Sequence, residues 1–137
     1  MDKIVKSSAS ERERPPLFHP RPEKADLERY FDILKRDETI YFAAVDTNGS
    51  HQLFIGPDYT LRFFLTAQDA DFYRASVQAM VPQMSFVVIR FQAVNGVAKG
   101  IADVKSAAKP GALAVCTYKN GNLIDIDHVY RTKQLLN

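Results

Sequence analysis

Three histidines, one cysteine and a few carboxylates on strand-forming segments are the residues of this chain with reactive potential. Asp125-Ile126-Asp127 alternates in a strand-like stretch, which puts two carboxylates on one face about 7 Å apart, a spacing that can hold a divalent cation. Solvated strand faces produce the same pattern without any function. His51 lies close after Asp46 across an Asn-Gly pair, and a two-residue hairpin turn there sets the two side chains opposite each other as an acid-base or ion pair. Cys116 pairs with Asp125 if Asn120-Gly121 is also such a turn. The carboxylate then raises the thiol pKa, the wrong direction for a nucleophile. The same register places His128 on the opposite face from Cys116, with Leu113, Val115, Thr117, Ile124 and Ile126, so no Cys-His couple forms. His19, His51 and His128 are too scattered for metal-ligand spacing, and one cysteine cannot build a usual zinc site. The six glycines stand singly, without a phosphate-cradling loop. No catalytic residue, cofactor or metal is expected. An enzyme reading rests only on His51 with Asp46, or on the Asp125 and Asp127 face.

Aromatics and arginines interleave on strands at Tyr59, Arg62, Phe64, Phe86 and Arg90, a mixture that sheet platforms use to stack bases. Residues 99–137 carry six basic side chains (Lys99, Lys105, Lys109, Lys119, Arg131 and Lys133) against three acidic ones, whereas the rest of the chain is nearly balanced. These six are the candidate contacts to nucleic acid. Their excess is well below the basic stripe of a dedicated nucleic-acid binder. Ser85 to Phe91 also lacks the glycines of an RNA-recognition motif.

The elements that position these residues follow from periodicity. Leu27, Tyr30, Phe31 and Leu34 form one apolar stripe of a helix over about 23–36, with acids leading and Lys35-Arg36 closing it. Thr39–Asp46, the stretch after Asn48-Gly49, and Tyr59–Leu65 form three strands of an antiparallel meander, in which Ala44 faces Leu53 and Phe42 faces Ile55. Thr66 with Asp69 caps a second helix that Pro82 ends. Ser85–Val94 is apolar on both parities, the pattern of a strand covered on both faces, and is expected at the centre of the sheet. Asn95-Gly96 then turns the chain into a strand over 97–104 that sets Gly100 opposite Phe91, the alanine-rich tract leaving a helix as the alternative. Ala112–Lys119 and Asn122–Tyr130 close the fold as a hairpin. The expected class is α+β: one mostly antiparallel sheet of about seven strands with two helices, in the order α-β-β-β-α-β-β-β-β.

At 137 residues, with 46% hydrophobic and 25% charged side chains, the chain is long enough for one domain with its own core. Residues 24–137 are read as that domain. Residues 1–23 form an extended arm holding four of the seven prolines, with Leu17, Phe18 and Arg21 placed to dock on a partner or on the domain itself. Charges interrupt every apolar run, so neither a signal peptide nor a membrane span is expected. The lone cysteine suits a reducing compartment, and a cytoplasmic location with no membrane partner is expected.

A sheet apolar on both faces with only two helices leaves Phe54, Phe64, Phe86 and Val88 in want of a cover. The element order α-β-β-β-α-β-β over about 24–104 is similar to that of the small dimeric chaperones of bacterial secretion systems, and the order alone carries the likeness. The expected function is therefore non-catalytic binding of a protein partner or of a second copy, as an adaptor, assembly factor, chaperone or regulator, through the arm and that strand face. Nucleic-acid binding by the basic third is the second expectation and an enzyme of unknown class the third.

Overall fold

Apolar residues at helical spacing and β-branched runs sort the chain into three helices and six strands, arranged as an α+β domain around one mixed sheet. The computed structural model describes residues 21–133. In chain order the elements are α1 (Lys24–Arg36), β1 (Thr39–Thr47), β2 (Ser50–Leu53), β3 (Thr60–Phe64), α2 (Ala67–Met80), β4 (Phe86–Gln92), α3 (Ala93–Ser106), β5 (Ala112–Lys119) and β6 (Asn122–Arg131). Leu17 and Phe18 of the arm lie outside the described residues; Arg21 is exposed.

The strands run in the order β4-β1-β3-β5-β6, while β2 pairs with the far half of β1. Asn48 and Gly49, at φ 52° and 85°, make the first hairpin turn, and Ala44 faces Leu53 and Asp46 faces His51 as expected. Phe42 does not face Ile55. It lies between Phe63 of β3 and Ile89 of β4, and Ile55 bridges to Leu61. The segment after Leu53 leaves β1 there, and β3 takes the vacated edge at Tyr41 and Phe42.

The centre of the sheet is β1, not the 85–94 stretch. Thr39 to Val45 pair with β4 on one side, and β2 and β3 share the other, so Ile40, Phe42, Ala43 and Ala44 are essentially inaccessible. No described strand pairs with the outer side of β4. Its apolar residues on both parities record helices on both faces, and an edge strand of a three-layer domain has those as fully as a central one. On one face α1 and α3 pack around Phe42, Leu61, Phe63, Leu113 and Val115; on the other α2 packs on Ala43, Phe64, Phe86, Ala114 and Cys116.

The third helix replaces the expected hairpin at Asn95-Gly96. An Asn-Gly pair favours a turn only where the flanking segments pair, and here Ala93, Gly96, Gly100 and Val104 recur at helical spacing as the buried side of α3. A Cβ on Gly96 would meet Ile40 Cδ1 at 2.6 Å, and one on Gly100 would meet Leu113 Cδ1 at 2.8 Å. Gly100 therefore lies against Leu113, not Phe91, and the two glycines let the helix axis approach the sheet. The order becomes α-β-β-β-α-β-α-β-β, which departs from the chaperone-like order over 93–104.

The sheet is mixed because β3 and β5 run parallel, Phe63 beside Val115. The chain leaves β3 through α2 to β4 and returns through α3 to β5. Two crossovers in opposite directions across a sheet keep one handedness only if their helices lie on opposite faces, as α2 and α3 do.

Candidate functional site

The hairpin of β5 and β6 decides which polar residues meet. From its turn at Asn120-Gly121 the register runs as expected to Cys116 opposite Asp125, and then shifts, so that Asp127 faces Val115 and His128 faces Ala114. An extra residue in one strand moves everything beyond it to the other face. Asp127 therefore joins the α1 side, where its charge helps to raise the Tyr30 hydroxyl to about 12, behind the larger effect of burial. Asp125 stays on the α2 side. The paired-carboxylate face expected from sequence does not exist. His128, expected beside Leu113 and Val115, instead shares the face of Cys116 and Asp125.

These residues meet a buried arginine. Arg62, on β3 between Thr60 and Phe64, directs its guanidinium onto Asp58 (2.7 Å) and Asp125 (3.3 Å) with only 14% of its side chain exposed. The Cys116 thiol donates to Asp125 Oδ1 at 3.1 Å, and His128 Nε2 lies 3.4 Å from Asp125 Oδ2. Burial first, then the Asp125 charge, holds the Cys116 pKa far above the ordinary thiol value, as the sequence register implied. Chiefly through the hydrogen bond from Arg62, the Asp58 pKa is lowered. A neutral thiol, a paired arginine and two engaged carboxylates form a satisfied network with no poised nucleophile. Its order was hidden in the sequence because the shift beyond Asp125 has no local residue signal. No group of three or more His, Cys, Asp or Glu side chains among the described residues can hold a metal ion.

The six basic candidates separate. Lys119 at one end of β5 reaches Asp26 of α1 at 3.1 Å, Lys99 pairs with Asp103 at 2.9 Å, and Lys105 stands over the Tyr130 ring. Arg131 and Lys133 line a cleft of about 630 Å³ with Asp58, Thr60 and Gly111. Lys109 is exposed in the preceding loop. Seven strand residues, or about 23 Å, separate the Lys119 and Arg131 ends of the hairpin. His51 does meet Asp46, at 3.3 Å, on an exposed hairpin end with no further catalytic group.

The apolar strand face is covered by the protein itself. Phe64 and Phe86 are buried beneath α2, and Phe54 and Val88 pack partly buried beside them. Phe54 meets Phe86 edge-on at 5.2 Å, and Phe64 lies 5.3 Å from Tyr73 of α2. What remains open is the edge of that surface.

The polarity of this edge follows from one hydrogen bond. Asp46 N donates to Ser85 O at 2.8 Å, which makes alternate pairs Ala44/Val87, Phe42/Ile89 and Ile40/Phe91 the hydrogen-bonded ones. The N–H and C=O groups of Val88 and Arg90 therefore point away from β1. At the start of the strand the outward N–H of Phe86 donates to Gln78 Oε1 at 3.0 Å, while Gln78 Nε2 donates to Met84 O at 2.6 Å. A side chain of α2 thus closes one end of the edge. Val87, Val88, Ile89 and Phe91 remain half-buried, and Arg90 is the single charge.

No protein-family model, curated protein or solved structure matches this chain. Among the described residues no helix is long and apolar enough to cross a membrane.

Proposed function

We propose that this is a non-catalytic protein-binding protein that takes an extended strand of its partner onto the open edge of β4. The observation that carries this reading is the outward-facing backbone of Val88 and Arg90 on an apolar strand that no described strand covers. Natural sheets blunt such edges with lysines, prolines or bulges, and β4 has none of these between Phe86 and Gln92. Strand addition draws affinity from the backbone ladder and specificity from alternate side chains, here Val88 and Arg90 on one face and Val87, Ile89 and Phe91 on the other. The binding element thereby moves from the strand face expected from sequence to its rim.

The test is Arg90→Pro. Its N–H points outward and its side chain is exposed, so proline removes a donor from the edge without breaking a bond to β1. The variant is expected to melt within a few degrees of the wild type and to lose association, whether with itself or with proteins co-purified from the native source. Retention of every wild-type association by Arg90→Pro would refute the proposal.

A further inference from the structure

Resting on that reading, we infer that the strand received by β4 is β4 of a second copy, in an antiparallel two-fold pairing with Ile89 facing Ile89. Three observations select this occupant and this register. The first is the geometry of the edge. Only even-numbered residues present outward N–H and C=O groups, so hydrogen-bonded pairs across the new interface join Val88 or Arg90 with an even-numbered residue of the other copy. With Ile89 on the axis, Val88 of each copy faces Arg90 of the other, giving four backbone hydrogen bonds without displacing Gln78 from Phe86.

The second is charge and side-chain order. Moving the axis to Arg90 sets two guanidinium groups directly opposite, a like-charge pair. Moving it to Val88 draws the pairing toward Phe86 and Met84, whose outward groups Gln78 already holds. With the axis at Ile89, all seven residues of β4 overlap, and the row Val87, Ile89, Phe91 meets Phe91, Ile89, Val87. These half-buried side chains already pack against the core beneath α1 and α3, or lie beside it, and the second copy extends that core across the axis.

The third concerns the chain's own N-terminal segment. Pro15, Pro16, Pro20 and Pro22 crowd the part next to the domain. Proline supplies no ladder donor, so this part is poorly suited to fill the edge, whereas a second β4 supplies a full set of donors and acceptors. An isologous pairing of this kind closes on itself and leaves no edge at the junction.

The experiment uses the full chain. Light scattering is expected to give the mass of a dimer, and Arg90→Pro to raise the dimer Kd tenfold or more. The register is read by single-cysteine variants under mild oxidation. Facing residues of a non-hydrogen-bonded pair lie about 4.5 Å apart at Cα, within disulfide range. Ile89→Cys therefore cross-links to a covalent dimer. Val87→Cys does not, because two Val87 positions lie about 13 Å apart along the paired strands. Buried Cys116 leaves the wild type as a silent control.

A dimer in which Val87→Cys cross-links and Ile89→Cys does not overturns the register. A strictly monomeric full chain overturns the inference, and hydrogen exchange then separates the two levels. Freely exchanging Val88 and Arg90 amides in that monomer leave the edge open for a different partner, so the binding proposal survives. Protected amides in the monomer mean that the chain covers its own edge, and both fail.

Discussion

Replacing Gly96 by alanine sets two opposing effects against each other at one site on α3. Alanine is about 1 kcal/mol better than glycine within a helix, so an α3 with free space on its sheet side would gain that amount. The structure leaves no such space. The new methyl would sit 2.6 Å from Ile40 Cδ1, 2.9 Å from Ile40 Cγ1 and 3.0 Å from Phe91 Cβ. The first is the end of a side chain that can rotate; the other two are tied closely to the backbones of β1 and β4. Overpacking of this kind costs about 1–3 kcal/mol. The expected balance is a net loss of about 1 kcal/mol for Gly96→Ala, read as a fall in unfolding free energy from urea denaturation. The partner variant Ile40→Val removes the nearest atom and alone costs about 1 kcal/mol. In the double variant the two costs are expected to be less than additive, by about 0.5 kcal/mol or more. A stabilised Gly96→Ala, or strict additivity with Ile40→Val, would refute close helix-sheet approach as the reason for glycine here.

Two other predictions concern the charged network. Arg62→Ala leaves Asp58 and Asp125 without their shared cation, and a loss of about 2 kcal/mol is expected from charge-assisted hydrogen bonds of partly buried groups. Because Arg62 lowers the Asp58 pKa below 3.8, the associated stability is present above that value and is lost as pH falls through the lower folded-state value. The wild-type advantage over Arg62→Ala should therefore narrow in acid denaturation below about pH 3.8; a gap that widens there contradicts the assignment. Cys116 is fully buried with its thiol held neutral, so alkylating reagents at neutral pH are expected to label it only at the rate of unfolding. Rapid labelling of the folded chain would show an exposed or activated thiol instead.

The candidate site was legible in its residues but not in its position. Ser85–Phe91 stood out by composition, and its apolar residues on both parities correctly reported helices on both faces; nothing local distinguishes a central strand from an edge strand under such cover. The aromatics at Phe54, Phe64 and Phe86 looked uncovered because the helices were undercounted. Once Ala93, Gly96, Gly100 and Val104 are seen as one side of a helix, α2 and α3 divide the two faces between them.

Local chemistry by itself determined α1, the capped start of α2 at Thr66, and the turns at Asn48-Gly49 and Asn120-Gly121, where successive positive φ values suit those residues. It also determined the Asp46-His51 and Cys116-Asp125 pairings, since a two-residue turn sets the register of the residues nearest to it. Tertiary structure decided the rest. The parallel pairing of β3 with β5 joins strands about fifty residues apart in the chain. The register shift that parts Asp125 from Asp127 and brings His128 to Asp125 relieves a fit between whole strands. Whether Asn95-Gly96 turns or continues a helix depends on whether a sheet waits beneath it to receive two glycines, and that surface exists only when β1, β4 and β5 are in place.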